Sequence, residues 1–276
     1  MSGRKPVDGL YELADGVFDF VIEGVIQLNA GIVVGDEAVA VIDTGTTEDD
    51  ARALLEAVRS VTDLPVRYVI NTHHHGDHSF GNWWFLPAVV LGHARCRLRL
   101  VGSEGFTHRE TMAAHLPMAR EQIRAVPLAP PDVTFDGHLD LHLGKNSMRL
   151  AYLGRAHTDN DIAIGIDDSG VAFAGDLVES AGPPIVNDGY PAEWGPTLRK
   201  LGAAMVQMFV PGHGNVVDGM FVAEQAGAFE ELTRVCAQAQ TPAEAMHAMP
   251  RSVFEVLDFQ TAAAVKRYFE TVTRPS

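Results

Sequence analysis

The segment best equipped for chemistry is 72–78, T-H-H-H-G-D-H, where four imidazoles and a carboxylate follow the short apolar run at 67–71. In extended chain, side chains alternate, so His73 and His75 project to one side and His74 to the other. If the chain turns into a helix near Asp77, then Asp77 and His78 swing toward the same point. Neutral imidazole and carboxylate are ligands for zinc and other borderline divalent metals. Nothing about packing calls for so many histidines at the end of a strand. Three later residues stand at similar strand-to-loop boundaries: His157 in G-R-A-H-T, Asp176 in F-A-G-D and His213 in P-G-H-G. Each alone reads as a surface histidine or a turn aspartate, but with the first cluster they complete a ligand set. The sequence has no G-x-S-x-G elbow and no Walker loop, so nucleophilic work falls to metal-bound hydroxide.

Such residues need rigid supports, and the flanking pattern supplies them. Residues 16–45 alternate β-type runs with Gly, Asp and Asn turns, which predicts strands at 32–34 and 38–42 around Gly35-Asp36-Glu37. Thr46 and Thr47 can cap a helix whose first turn holds Glu48, Asp49 and Asp50. Its apolar face is Ala53, Leu54, Ala57, Val58 and Val61. Residues 67–71 and 88–91 read as further strands. Helical spacing over 103–124 is broken by Pro117, which predicts two pieces or a kink. A second meander is expected at 133–135, 139–143, 148–153, 162–166 and 171–174. Helices are expected over 193–205, 217–236 and 241–247, with a last one near 259–271. This order suits two similar halves, about 1–130 and 131–276, facing each other sheet against sheet with helices outside. The whole of 1–276 is expected to form a single domain.

Composition narrows the class. A chain of 276 residues with 46% hydrophobic content can bury a core without disulfides or a structural metal, so a metal here is expected to serve chemistry. Lys+Arg 21 against Asp+Glu 36 leaves a net charge of -15, which argues against nucleic acid or anionic membrane as partners. No apolar stretch approaches the roughly 20 residues that span a bilayer. Residues 1–15 show no apolar run behind their basic residues, so no secretory signal is read there. A cytoplasmic location is expected, with Cys96 and Cys236 reduced.

The motifs V-A-V-I-D-T-G, N-T-H-H-H-G-D-H, G-R-A-H-T-D-N-D, F-A-G-D and P-G-H-G, in this order, resemble the metallo-β-lactamase superfamily from about Gly16 to His213. The resemblance implies an α/β fold, a four-layer αβ/βα sandwich with a dinuclear metal site at one edge. Carried over by motif, it implies that His73, His75 and His157 bind the first metal and that Asp77, His78 and His213 bind the second. Asp176 would bridge both, and Asp43 would be a buried carboxylate supporting the histidine loop from behind. Asp77 and His78 carry the catalytic assignment. Two zinc ions per chain are expected, with Fe or Mn as the other candidates. Metals about 3.5–4 Å apart can share a water, lower its pKa and polarise a carbonyl.

The resemblance also separates branches. The typical zinc β-lactamases have Cys, or no ligand, where this chain has Asp176, and those with Cys often place a Lys where this chain has Glu179. Flavodiiron proteins have Glu in place of His75, and persulfide dioxygenases lack a complete second site. The expectation is therefore a dinuclear zinc-dependent, lactonase-like hydrolase acting on the carbonyl of a small ester, lactone, thioester or amide. The alternatives are β-lactamase activity and a mononuclear-iron dioxygenase. Specificity is expected from the loops at 18–24, 83–86 and 179–194, with Trp83 walling the pocket and Asn187 and Tyr190 bonding a substrate oxygen. A lid is conceivable over 106–118. Glu179 is read as an open-loop anion that disfavours substrates with a second negative charge. The substrate is a small molecule; the oligomeric state is unknown.

Overall fold

The run V-A-V-I at residues 39–42 has no polar side chain, so a strand there must be covered on both faces. In the computed structural model, which describes residues 7–203 and 206–272, it is the central strand of a seven-stranded sheet. That sheet follows chain order: β1 (Leu10–Ala14), β2 (Val17–Glu23), β3 (Gln27–Val34), β4 (Val39–Ile42), β5 (Val66–Ile70), β6 (Val89–His93) and β7 (Val133–Phe135). Strands β1 to β4 pair antiparallel and β4 to β7 pair parallel. The second sheet has β8 (His138–His142), β9 (Ser147–Tyr152), β10 (Ile162–Ile166), β11 (Val171–Glu179) and β12 (Met208–His213), in the order β12-β11-β10-β9-β8.

Side-chain alternation builds the layers. From β4, Ala40 and Ile42 point to the second sheet, where they meet Ile162, Ile164, Phe173 and Val210. Val39 and Val41 point the other way, onto Leu54, Ala57 and Val58 of α1 (Glu48–Val61). In the second sheet Phe173 faces inward, while Ala172 and Ala174 face a helical layer containing Trp194 and Phe229. That layer comprises α6 (Pro191–Gly202), α7 (Gly219–Gln238), α8 (Pro242–Ala248), α9 (Arg251–Leu257) and α10 (Thr261–Thr271), after α2 (Gly76–Ser79), α3 (Ala94–Leu100), α4 (Gly102–His115) and α5 (Arg120–Ala125) of the first half. The result is the four-layer αβ/βα sandwich.

The break expected at Pro117 is present, and several other elements differ from the sequence reading. The break at Pro117 gives two helices, α4 and α5. Of the helix expected over 193–205, α6 ends at Gly202 and Met205 lies outside the described residues. Helix α3 was not expected, because A-R-C-R-L-R-L alternates like a strand; it buries only Cys96 and Leu100. Helix α9 was likewise missed, and the last helix begins at Thr261. Both cysteines are buried, and neither is in a disulfide. Among the described residues, no helix is long and apolar enough to cross a membrane.

Candidate metal centre

The cluster forms where strands from both sheets end. Asp43 follows β4, and residues 71–75 lead from β5 into the single turn of α2, which carries Asp77 and His78. His157 follows β9, Asp176 lies within β11 and His213 closes β12. Gly175 has φ 52, and the pairing of β11 with β12 shifts register there. This kink breaks the strand's alternation and frees Asp176 from the regular pleat. A Cβ on Gly212 would overlap Asp176 Oδ1 and crowd His78, so the P-G-H-G turn needs its glycine.

Asp176 addresses two groups with its two oxygens. Its Oδ2 lies 3.3 Å from His157 Nε2 and 3.8 Å from His73 Nε2. Its Oδ1 lies 3.3 Å from His78 Nε2 and 3.6 Å from His213 Nε2. His75 Nδ1 is 2.9 Å from His157 Nε2, and Asp77 Oδ2 is 3.3 Å from His213 Nε2. Donor atoms of His73, His75, His157 and Asp176 thus form one set within 4.8 Å, and those of Asp77, His78 and His213 another. His73 Nε2, His78 Nε2 and Asp176 Oδ1 are buried yet have no hydrogen-bond partner. Buried polar atoms left unpaired cost free energy, and all three belong to residues of these two donor sets, where cations would coordinate them.

The far nitrogen of each imidazole is held by a neighbour. His78 Nδ1 bonds Asp43 Oδ2 at 2.8 Å. Thr72 donates its N–H to Asp43 Oδ1 at 2.8 Å and its hydroxyl to Oδ2 at 2.7 Å. The Thr72 oxygen then remains free to accept from His73 Nδ1, 3.1 Å away. His157 Nδ1 donates to the Ile185 carbonyl at 3.0 Å, His213 Nδ1 to the Gln27 carbonyl, and His75 Nε2 to Asp188 Oδ2 at 3.3 Å. With those protons outward, the inward nitrogens present lone pairs, which is the tautomer a metal requires. Asp43 itself has φ 58, a left-handed conformation that Asp tolerates better than most residues.

Electrostatics agree with a centre built for positive charge. Burial opposes ionisation of Asp77 and Asp176, yet the charge of His78, with His213, holds both below the usual carboxylate range. Burial also opposes protonation of His213, but Asp176 and Asp77 push it up to about 12. Burial keeps His73 well below the ordinary value and His157 down to about 4. Asp176 and Asp77 favour protonation of His78 and His213, and a cation held there would displace those protons.

The remaining expected residues fall in different places. His74 turns away from Asp176 but not toward solvent: it is buried, 3.0 Å from Asn160 Nδ2, and its nitrogen joins His75 and Asp188 in a third close set. Asn187 lines the cavity above the cluster, which has a volume of about 690 Å³. Trp83 and Tyr190 are not among its lining residues. Trp83 is 47% exposed on a 3-10 turn, and Tyr190 lies between the guanidinium groups of Arg155 and Arg267, 4.5 and 5.7 Å from its ring centre. Helix α4, the conceivable lid, does not reach the cavity. Glu179 is not on an open loop: it is buried at the end of β11, accepts a bond from Ile185 N at 3.0 Å and lies 3.5 Å from His157 Nδ1. Burial and then the charge of Asp176 raise its pKa to about 8.

Other contributors went unread in the sequence. Asn29 donates from Nδ2 to the carbonyls of Pro211 and Gly214, bracketing His213, and a polar residue inside Q-L-N-A-G-I-V-V was its available signal. Asn71 and Asn82 bond each other, and Asn71 Nδ2 also donates to the His78 carbonyl behind α2. Arg267 of α10 donates to the carbonyls of Asp188 and Gly189, holding the loop that presents Asp188 to His75.

Comparison with known proteins adds the following. The family model described as the metallo-beta-lactamase superfamily matches residues 24–213. A linear primary-alkylsulfatase of Pseudomonas sp. is 23% identical over 222 residues, covering 68% of this chain and 42% of that protein. An alkyl/aryl-sulfatase of Saccharomyces cerevisiae is 29% identical over 142 residues, covering 50% of this chain and 21% of that protein. The chain therefore spans less than half the length of either relative. Among solved structures, a metallo-beta-lactamase from Pontibacter korlensis superposes with a TM-score of 0.63 at 18% identity, covering 80% of this chain and 98% of the other. At that identity the likeness concerns the fold alone.

Proposed function

The chain belongs to the metallo-beta-lactamase superfamily, and on that premise we propose that it is a metal-dependent hydrolase with two divalent cations, zinc in the first instance. The observation that carries the reading is that buried, unpaired atoms of His73, His78 and Asp176 belong to residues of two neighbouring donor sets. His73, His75 and His157 would hold one cation and Asp77, His78 and His213 the other, with one oxygen of Asp176 on each. Bound there, the pair would lower the pKa of a shared water and polarise the substrate oxygen.

The chain's own residues supply orientation. Asp43 and Thr72 fix the rings of His78 and His73, while the carbonyls of Ile185 and Gln27 fix His157 and His213. Asp77 lines the cavity beside His213, and its carboxylate would orient an attacking water. The proposed substrate is a small ester, lactone, thioester or amide. A sulfate ester is the second reading, favoured by the similarity to two alkylsulfatases.

Elemental analysis should return close to two metals per chain. A panel of a lactone, a thioester, an aryl ester, an alkyl sulfate and a penicillin then separates the readings. A single iron with oxygen uptake would overturn the hydrolase and favour the dioxygenase. Turnover of the alkyl sulfate alone would select the second reading.

A further inference from the structure

The cavity over the cluster has a floor of charged and polar groups and walls of a different kind. Ile26 comes from the turn between β2 and β3, Pro183 and Ile185 from the loop after β11, and Phe259 from the 3-10 turn Asp258–Gln260 joining α9 to α10. No lysine or arginine is among the lining residues, while Glu179 and Asp188 are. Phe259 is 69% exposed, an unfavourable place for an aromatic ring unless something covers it. The backbone holds it there: Asp258 has φ 40, and Leu257 and Gln260 on either side are buried. The turn lies beyond residue 213, where the family match ends, whereas Ile26, Pro183 and Ile185 lie within it.

We infer that the cavity takes the neutral apolar chain of an ester, and that Phe259, which lines it together with Ile26 and Ile185, is the specificity-determining residue that sorts substrates by chain length. The inference rests on the hydrolase reading for its catalytic readout. Apolar walls favour burial of each methylene, and a lining with no lysine or arginine beyond the histidines of the donor sets gives a second anionic group no partner away from the cluster. Since the wall lies away from the reacting atoms, it binds ground state and transition state alike and acts on KM.

The test uses the metal-loaded full chain with p-nitrophenyl acetate, butyrate and octanoate. Wild type should favour octanoate. Phe259→Ala should lose about tenfold in kcat/KM on octanoate, through KM, and less than twofold on acetate; that is the contact of roughly two methylenes. Phe259→Leu should recover most of the preference. An equal loss on acetate and octanoate, or none on either, overturns the inference. Calorimetric titration with 1-octanol and 1-butanol separates the two claims. Octanol binding that needs Phe259, in a metal-loaded protein that cleaves neither these esters nor any other substrate of the panel, supports the apolar wall and sinks the hydrolase. Ester cleavage with no octanol binding and no chain-length preference does the reverse.

Discussion

Replacing Asp43 by Asn tests whether one buried carboxylate sets the chemistry of the histidine loop. Asn fits the site sterically and also tolerates φ 58. Its oxygen can still accept from Thr72 N–H, a bond now 2.8 Å long. The amide NH2 then replaces Oδ2, which at present accepts from both Thr72 Oγ1 and His78 Nδ1. Facing a donor, His78 Nδ1 must become an acceptor, and its proton moves to Nε2. That nitrogen points at Asp176 Oδ1, 3.3 Å away, and could no longer offer a lone pair. Forcing it back costs a charge-assisted hydrogen bond, about 1.5–3 kcal/mol, which is about 10- to 150-fold in affinity at 1.4 kcal/mol per tenfold. Competition against a chromophoric zinc chelator should therefore show the set of Asp77, His78 and His213 weakened by that factor. The set of His73, His75 and His157 should weaken less, since it feels Asp43 only through the Thr72 hydroxyl. Unchanged affinity at both sets in a folded Asp43→Asn protein would refute the tautomer argument.

Four further outcomes follow from the geometry. Asp188→Asn, which leaves His75 Nε2 only a neutral acceptor, should lower affinity at the first set about tenfold or more. His74→Ala should retain two metals per chain, because His74 stands outside both sets that share Asp176; loss of a metal would mean that the set with Asp188 is the occupied one. Glu179→Lys should destabilise the fold by about 3–5 kcal/mol in chemical denaturation and should not improve penicillin KM, because the carboxylate is buried against Ile185 N and His157. Asp19 is buried, its Oδ1 has no partner, and burial raises its pKa from 3.8 to about 7. The folded state therefore holds a proton that the unfolded state has lost between those values, and stability falls as pH rises through that window. Asp19→Asn should remove up to about 4 kcal/mol of that fall, seen as a higher melting temperature at pH 8 with little change at pH 4. An unchanged pH profile would count against it.

The chain's own letters determined a good deal. The wholly apolar runs V-A-V-I and I-A-I-G-I dictated strands covered on both faces, and the Thr47 cap with the Leu54, Ala57 and Val58 stripe dictated α1. These are local patterns, in which the residues that report an element are the residues that form it. The clustered histidines and the short motifs around His157, Asp176 and His213 were legible for the same reason. Where an apolar stripe was weak the reading failed, as in α3 and α9. Only the tertiary structure decided which oxygen of Asp176 faces which nitrogens, since that depends on a kink at Gly175 and on the turn carrying His213. It also decided that Glu179 is buried, that Tyr190 is enclosed by two arginines, and that Asp188 reaches His75 across 113 positions of chain. Phe259 enters the cavity because α9 and α10 pack against the second sheet's helical layer, not because of anything in its own neighbourhood of sequence. Contacts between segments far apart in the chain are set by how layers stack, and no local periodicity carries that information.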